Sequence, residues 1–142
     1  MNDILYLFNP WWENKDFFTG VQRRKYTSTV KKFLTNKLAI IFVGSRRVGK
    51  TILLHQIIKD LLKENVSPKK IIYLPLDHPA METKTPLELI ETARAIHGLK
   101  RNEKLFVFWD EVQGRKDWEK QAKAVIDFEN IKLFLSGSVG AL

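Results

Sequence analysis

The sequence has no cysteine, which excludes disulfides, thiolate catalysis and cysteine-based zinc sites. Histidine is scarce too, and no cluster forms: His55 and His97 fall in expected helices. His78 reads as a turn residue without a visible partner, although its place at a strand end could turn it toward a site. No apolar run approaches the length of a membrane span. The start Met1-Asn2-Asp3 lacks a basic region and "ILYLF" is too short for a signal core, so a cytoplasmic address is expected. Repeats and low-complexity tracts are also missing. Acids are the minority charge, with 16 Asp and Glu against 24 Lys and Arg, for a formal net charge of +8. That balance suits a polyanionic partner such as nucleic acid, or a polyphosphate substrate. The lysines are scattered over helix exteriors (Lys59, Lys63, Lys120, Lys123) and strand starts (Lys69, Lys70, Lys104), which also fits plain solvation. Only Arg23 to Lys32 gathers basic residues locally.

What is present centres on Lys37 to Leu62 in a chain of 142 residues, long enough for one core. Leu38 to Val43 is a short apolar run with β-branched and aromatic members, expected to be a strand buried on both faces. The loop from Gly44 to Thr51 fits G-x-x-x-x-G-K-[ST]. Its glycines permit turns that a Cβ would block, so that successive N–H groups can point at a phosphate. The helix that follows adds its positive end, with Leu54, Ile57, Ile58, Leu61 and Leu62 on its inner face. Residues expected around the phosphates are Gly44, Ser45, Arg46, Arg47, Val48, Gly49, Lys50, Thr51 and Ile52. Lys50 would lie along the β- and γ-phosphates, and the Thr51 hydroxyl would ligate Mg²⁺. Arg46 and Arg47 could hold phosphate, contact a neighbour, or simply be exposed.

Residues 1–36 form an aromatic and basic amino-terminal segment ahead of a core spanning 37–142. Leu5 to Phe8 reads as a short strand, Asn9-Pro10 as a turn, and Trp11, Trp12, Phe17 and Phe18 as an aromatic cluster that folds over the core or meets a partner; base stacking is the alternative. Val21 to Asn36 reads as a polar-basic helix or linker. Further strands are expected at Lys70–Leu76, Lys104–Trp109 and Ile131–Leu135. Between them lie a helix opened by the capping box at Thr85 and stopped at Gly98, and a helix capped by Asp117. Strands alternating with helices, each strand apolar along both faces, predict a parallel α/β sandwich.

A phosphate loop alone leaves kinases, GTPases and motor-type ATPases open. Asp110-Glu111, closing the apolar run "LFVFW", has the Walker B form, in which the aspartate joins the Mg²⁺ shell. The adjacent Glu111 can polarise an attacking water, or be a solvated acid at a helix entry. Ser136 and Ser138 flank Gly137 at the next strand's end, where either could reach between the γ-phosphate and the water, or be a turn serine.

Together "IIFVGSRRVGKTILLHQII", "VFWDEVQ" with "DWEKQAKAVID", "KLFLSGS" and the early "FNPWWE" resemble archaeal and bacterial ATPases of the AAA+ type. The resemblance implies a P-loop NTPase three-layer α/β/α sandwich of the additional-strand class, with a strand between Walker A and Walker B. It implies Gly44 to Thr51 as Walker A, Asp110-Glu111 as Walker B, and the Ser136/Ser138 region as first sensor. It also implies ATP rather than GTP. Members of that family continue with a fifth strand, a helical lid, a second sensor or arginine finger, and often a carboxy-terminal DNA-binding-like region. Here the chain ends after the fourth strand and no arginine follows Arg115, which points to a fragment or a shortened relative. The implied topology leaves Leu38–Val43 as an exposed edge, to be covered by "ILYLF", a second copy or a continuation. The function expected is ATP binding and Mg²⁺-dependent hydrolysis coupled to a partner. The alternatives are an ATP-binding interaction module with little turnover and a nucleic-acid-stimulated ATPase.

Overall fold

The computed structural model describes residues 1–21, 29–45 and 49–138. Strands β1 (Ile40–Gly44), β2 (Ile71–Pro75), β3 (Leu105–Asp110) and β4 (Ile131–Ser138) pair in parallel in the order β1-β4-β3-β2. β4 therefore lies between the strand that enters the glycine loop and the strand that ends in the acids, as the additional-strand topology requires. Helix α1 spans Asn2–Phe8, α2 Lys50–Lys63, α3 Pro86–His97 and α4 Trp118–Phe128. Parallel strands must be joined by crossovers, and α2, α3 and α4 supply them while covering apolar strand faces. Among the described residues no helix is long and apolar enough to cross a membrane.

The core follows the strand composition. β2 and β4 are buried along their whole length. Phe108 and Phe134 are register partners, and their rings stack 4.4 Å apart at 4°. α3 begins at the expected capping box, with the Thr85 hydroxyl accepting the Glu88 N–H and the Glu88 carboxylate accepting the Thr85 N–H, and ends on Gly98 in the left-handed conformation. α4 differs from expectation at its start: Asp117 occupies the cap position at φ 58° without a side-chain cap bond.

β1 lies at the edge of the sheet, as the implied topology has it. Two other expectations are corrected. β1 is not buried on both faces, because its burial alternates along the strand. Ile40 and Phe42 pack on the core, whereas Ile41 and Val43 point the other way and are 43% and 55% exposed. Among the described residues the amino-terminal segment contains no strand, and "ILYLF" does not lie on β1. Leu5 to Phe8 lies in α1, and the segment runs along the opposite edge, beside β2. There the fully buried Asn9 stands in for a strand partner: Tyr73 N–H donates to Asn9 Oδ1 at 2.6 Å, and Asn9 Nδ2 donates to Tyr73 O at 3.0 Å. The Trp11 and Trp12 indoles both donate to Ile71 O at 2.9 Å. Three side chains thus satisfy backbone groups that a fifth strand would otherwise take. Leu5, Trp11 and Trp12 join the same hydrophobic core as the sheet.

Candidate functional site

All four strands run the same way, so their carboxyl ends meet along one rim of the sheet, where open α/β sheets bind ligands. Register sets the neighbours: Gly44 lies beside Ser138, Pro75 beside Asp110, and Trp109 beside Leu135, which brings Asp110 next to Ser136. The glycine loop leaves this rim from β1 and re-enters at α2. Gly49 there has φ 74° and ψ 37°, a left-handed conformation that disfavours any side chain. α2 then opens with its unpaired N–H groups toward the rim. Lys50, at the first position, is 4% exposed, and its Nζ donates to Gly44 O at 2.9 Å and Ser45 O at 2.7 Å.

The two acids close the other side. Asp110 is 2% exposed and accepts hydrogen bonds from three hydroxyls: Thr51 Oγ1 at 2.7 Å and Tyr73, both on Oδ2, and Ser136 on Oδ1. A buried carboxylate requires such donors. Glu111 has φ 56° and ψ 62°, a conformation that costs a residue with a Cβ about 1–3 kcal/mol. The bonds that hold it there are specific. Its N–H donates to Ser136 Oγ at 2.9 Å, and its Oε2 accepts from Ser138 Oγ at 2.9 Å and from Gln113 Nε2. Gln113 Oε1 in turn accepts the Ser138 N–H at 3.1 Å, tying the acid to the end of β4. Glu111 Oε1 faces Lys50 Nζ across 3.8 Å. Loop lysine, helix-start threonine and both acids therefore form one connected network.

Of the residues expected from the sequence, Gly44, Ser45, Gly49, Lys50, Thr51, Asp110, Glu111, Ser136 and Ser138 all converge on this rim. Ile52 instead packs beside Gly20, where an added Cβ would meet its Cγ2 at 3.0 Å. Arg46, Arg47 and Val48 lie outside the described residues, as does most of the basic stretch Arg23–Lys32. Arg115 is held at the turn after β2, its guanidinium donating to the carbonyls of Leu76, Met81 and Lys84. His78 is a turn residue whose Nδ1 accepts the Ala80 N–H.

Sequence reasoning missed Tyr73, Gln113 and His55. Tyr73 is signalled only by a hydroxyl inside an otherwise apolar strand, since a buried phenol needs a partner. Burial, and then the neighbouring Asp110, push its pKa up, so it remains a protonated donor. The His55 ring lies 4.5 Å from the Tyr73 ring, and its Nδ1 is 2.8 Å from Thr51 O. Burial pushes that imidazole below its usual pKa, which favours the neutral form.

Among the described residues no three His, Cys, Asp or Glu side chains converge to cage a metal. The paired donors are instead a hydroxyl and a carboxylate, Thr51 and Asp110. Such hard oxygens suit Mg²⁺, which is commonly held by one or two carboxylates together with substrate phosphates and water.

A family profile described as an AAA domain matches residues 36–142. An uncharacterized protein of Methanocaldococcus jannaschii is 27% identical over 129 residues, a stretch that covers 89% of this chain and 26% of that protein. The chain thus spans about a quarter of the length of this curated relative. A crystal structure of a DNA replication initiation factor superposes with a TM-score of 0.53 at 21% identity, covering 89% of this chain and 40% of the other. That likeness concerns the fold. The glycine loop, the strand order and a profile match across most of the length agree: this chain belongs to the AAA domain family of AAA+-type P-loop ATPases.

Proposed function

We propose that this domain binds ATP and hydrolyses it with Mg²⁺, coupling turnover to a partner. The observation that carries the reading is the convergence of Lys50, Thr51, Asp110 and Glu111 on one rim, each already bonded or paired to another. In this reading the loop N–H groups from Gly44 to Thr51 and the Lys50 ammonium bind the phosphates. Ile52 continues the first turn of the helix behind them, and Arg46, Arg47 and Val48 complete the loop. Thr51 and Asp110 hold the metal, whose contribution is to neutralise charge on the phosphate oxygens. Glu111 accepts the proton of the attacking water. Ser136 orients Asp110, and Ser138 orients Glu111.

The engagement of Glu111 favours a second reading, an ATP-binding interaction module with little turnover. Its carboxylate is shared among Ser138, Gln113 and Lys50, so it must give up part of this set to meet a water. The end position of β1 in the sheet and the exposure of Ile41 and Val43 among the described residues support a protein partner or self-association. The net charge of +8 supports stimulation by nucleic acid.

Glu111→Gln separates the two readings. Under the hydrolase reading it retains ATP and Mg²⁺ affinity and loses about 10²–10⁴-fold in turnover, measured as phosphate release. Under the module reading, wild type and variant release phosphate equally slowly while both bind ATP. Loss of binding in the variant would refute the role given to Glu111.

A further inference from the structure

We propose that Tyr73 is a positioning residue for the metal-bearing half of the site: its phenol fixes the orientation in which Asp110 presents its carboxylate. The proposal rests on the reading that Thr51 and Asp110 hold Mg²⁺. It adds a residue from a strand that carries neither motif.

Three hydroxyls reach Asp110, and they are not equivalent. Thr51 is itself a metal donor in this reading, so its bond to Oδ2 is available for exchange with the metal. Two hydroxyls are then left to hold the carboxylate, Ser136 on Oδ1 and Tyr73 on Oδ2. One donor on each oxygen fixes the plane of the group, whereas one donor alone leaves it free to turn about its own axis. Ser136 approaches from β4 and Tyr73 from β2, on opposite sides of β3. Asp110 is thus braced from both neighbouring strands.

The Tyr73 arm is rigid. Its backbone is gripped at both polar atoms by the buried Asn9 amide, at 2.6 Å and 3.0 Å. Its ring lies against His55, which packs at 6.0–6.1 Å from Phe17 and Trp11. The phenol is buried, so water has poor access to replace it as a donor. The amino-terminal segment therefore sets the placement of a hydroxyl at the phosphate rim, although among the described residues its own side chains make no hydrogen bond to Asp110. Outer-shell partners of metal-binding carboxylates affect metal affinity in this way.

Tyr73→Phe removes one oxygen atom and leaves the ring in place. ATP affinity is measured by calorimetric titration for wild type and variant, once with excess Mg²⁺ and once with EDTA. The expected result is unchanged affinity in EDTA, with the gain conferred by Mg²⁺ reduced about tenfold in the variant. A merely structural role would weaken both titrations together, and that outcome overturns the proposal. An unchanged Mg²⁺ gain overturns it as well. A larger gain would mean that the phenol competes with the metal for Oδ2, which equally refutes positioning. If the wild-type protein bound no ATP under either condition, the proposed function would fail first and this inference with it. Failure of the variant alone leaves that function standing.

Discussion

Replacing Asn9 with alanine tests whether side chains can seal a sheet edge as effectively as a strand does. The fully buried Asn9 amide makes three hydrogen bonds: Nδ2 to Leu5 O at 2.8 Å and to Tyr73 O at 3.0 Å, and Oδ1 from Tyr73 N at 2.6 Å. Alanine removes all three and leaves three backbone groups without these bonds. A net hydrogen bond contributes about 1 kcal/mol, and each buried group left unpaired costs about 1–3 kcal/mol. Water reaching the opened edge recovers part of that cost, so the expected loss is about 3–5 kcal/mol. Small domains have only about 5–15 kcal/mol in all. Urea unfolding followed by circular dichroism reads the change directly. Leu7→Ala, at an exposed site on the helix that Asn9 ends, serves as the control with almost no effect. A loss below about 0.5 kcal/mol for Asn9→Ala would refute the claim that the amide does the work of a strand partner.

Two further predictions concern charge. Lys50→Ala should weaken ATP binding by at least an order of magnitude, because a charge-assisted bond contributes about 1.5–3 kcal/mol; unchanged affinity would remove Lys50 from the phosphate site. His97, packed 4.4 Å from Trp12, has its pKa pushed down from 6.5 by burial and then by Lys69. Between the lowered folded value and 6.5 the unfolded chain binds more protons, so stability rises with pH across that window and falls as pH drops through it. The gap between urea midpoints at about pH 7.5 and 5.5 should narrow in His97→Gln, with His55, which burial also holds below its usual pKa, supplying acid loss that remains; a loss equal to that of wild type would sink the assignment.

The phosphate loop, the acid pair and the alternation of strand with helix were legible because each is local. Gly49, Lys50 and Thr51 sit in consecutive positions whose geometry follows from the chain itself. The misreadings share a different cause. Leu5 to Phe8 is too short for periodicity to separate helix from strand, and its state is decided by packing against β2 and α3, far away in sequence. β1 lies at the edge that the resemblance implied, but its apolar run suggested burial on both faces, and composition cannot say which strand face is left uncovered. β4 continues through Ser136, Gly137 and Ser138, beyond its apolar run, because its end pairs with Gly44 and faces the site. Tyr73 and Gln113 acquire their roles only from neighbours that the fold brings to them.

The strand order also governs when the site can exist during synthesis. Of the four described strands β1 leaves the ribosome first, yet its sheet partner β4 is the last of the four: Ile40 must wait for Phe134, and Gly44 for Ser138. β2 is ready for Asn9 much earlier, but it joins the sheet through β3. Non-local pairing of this kind must close long loops before any contact offsets the lost entropy, and it folds slowly. A nascent chain therefore holds its glycine loop without this rim until β4 has been made, because β4 must lie between β1 and β3 before the strand ends can meet.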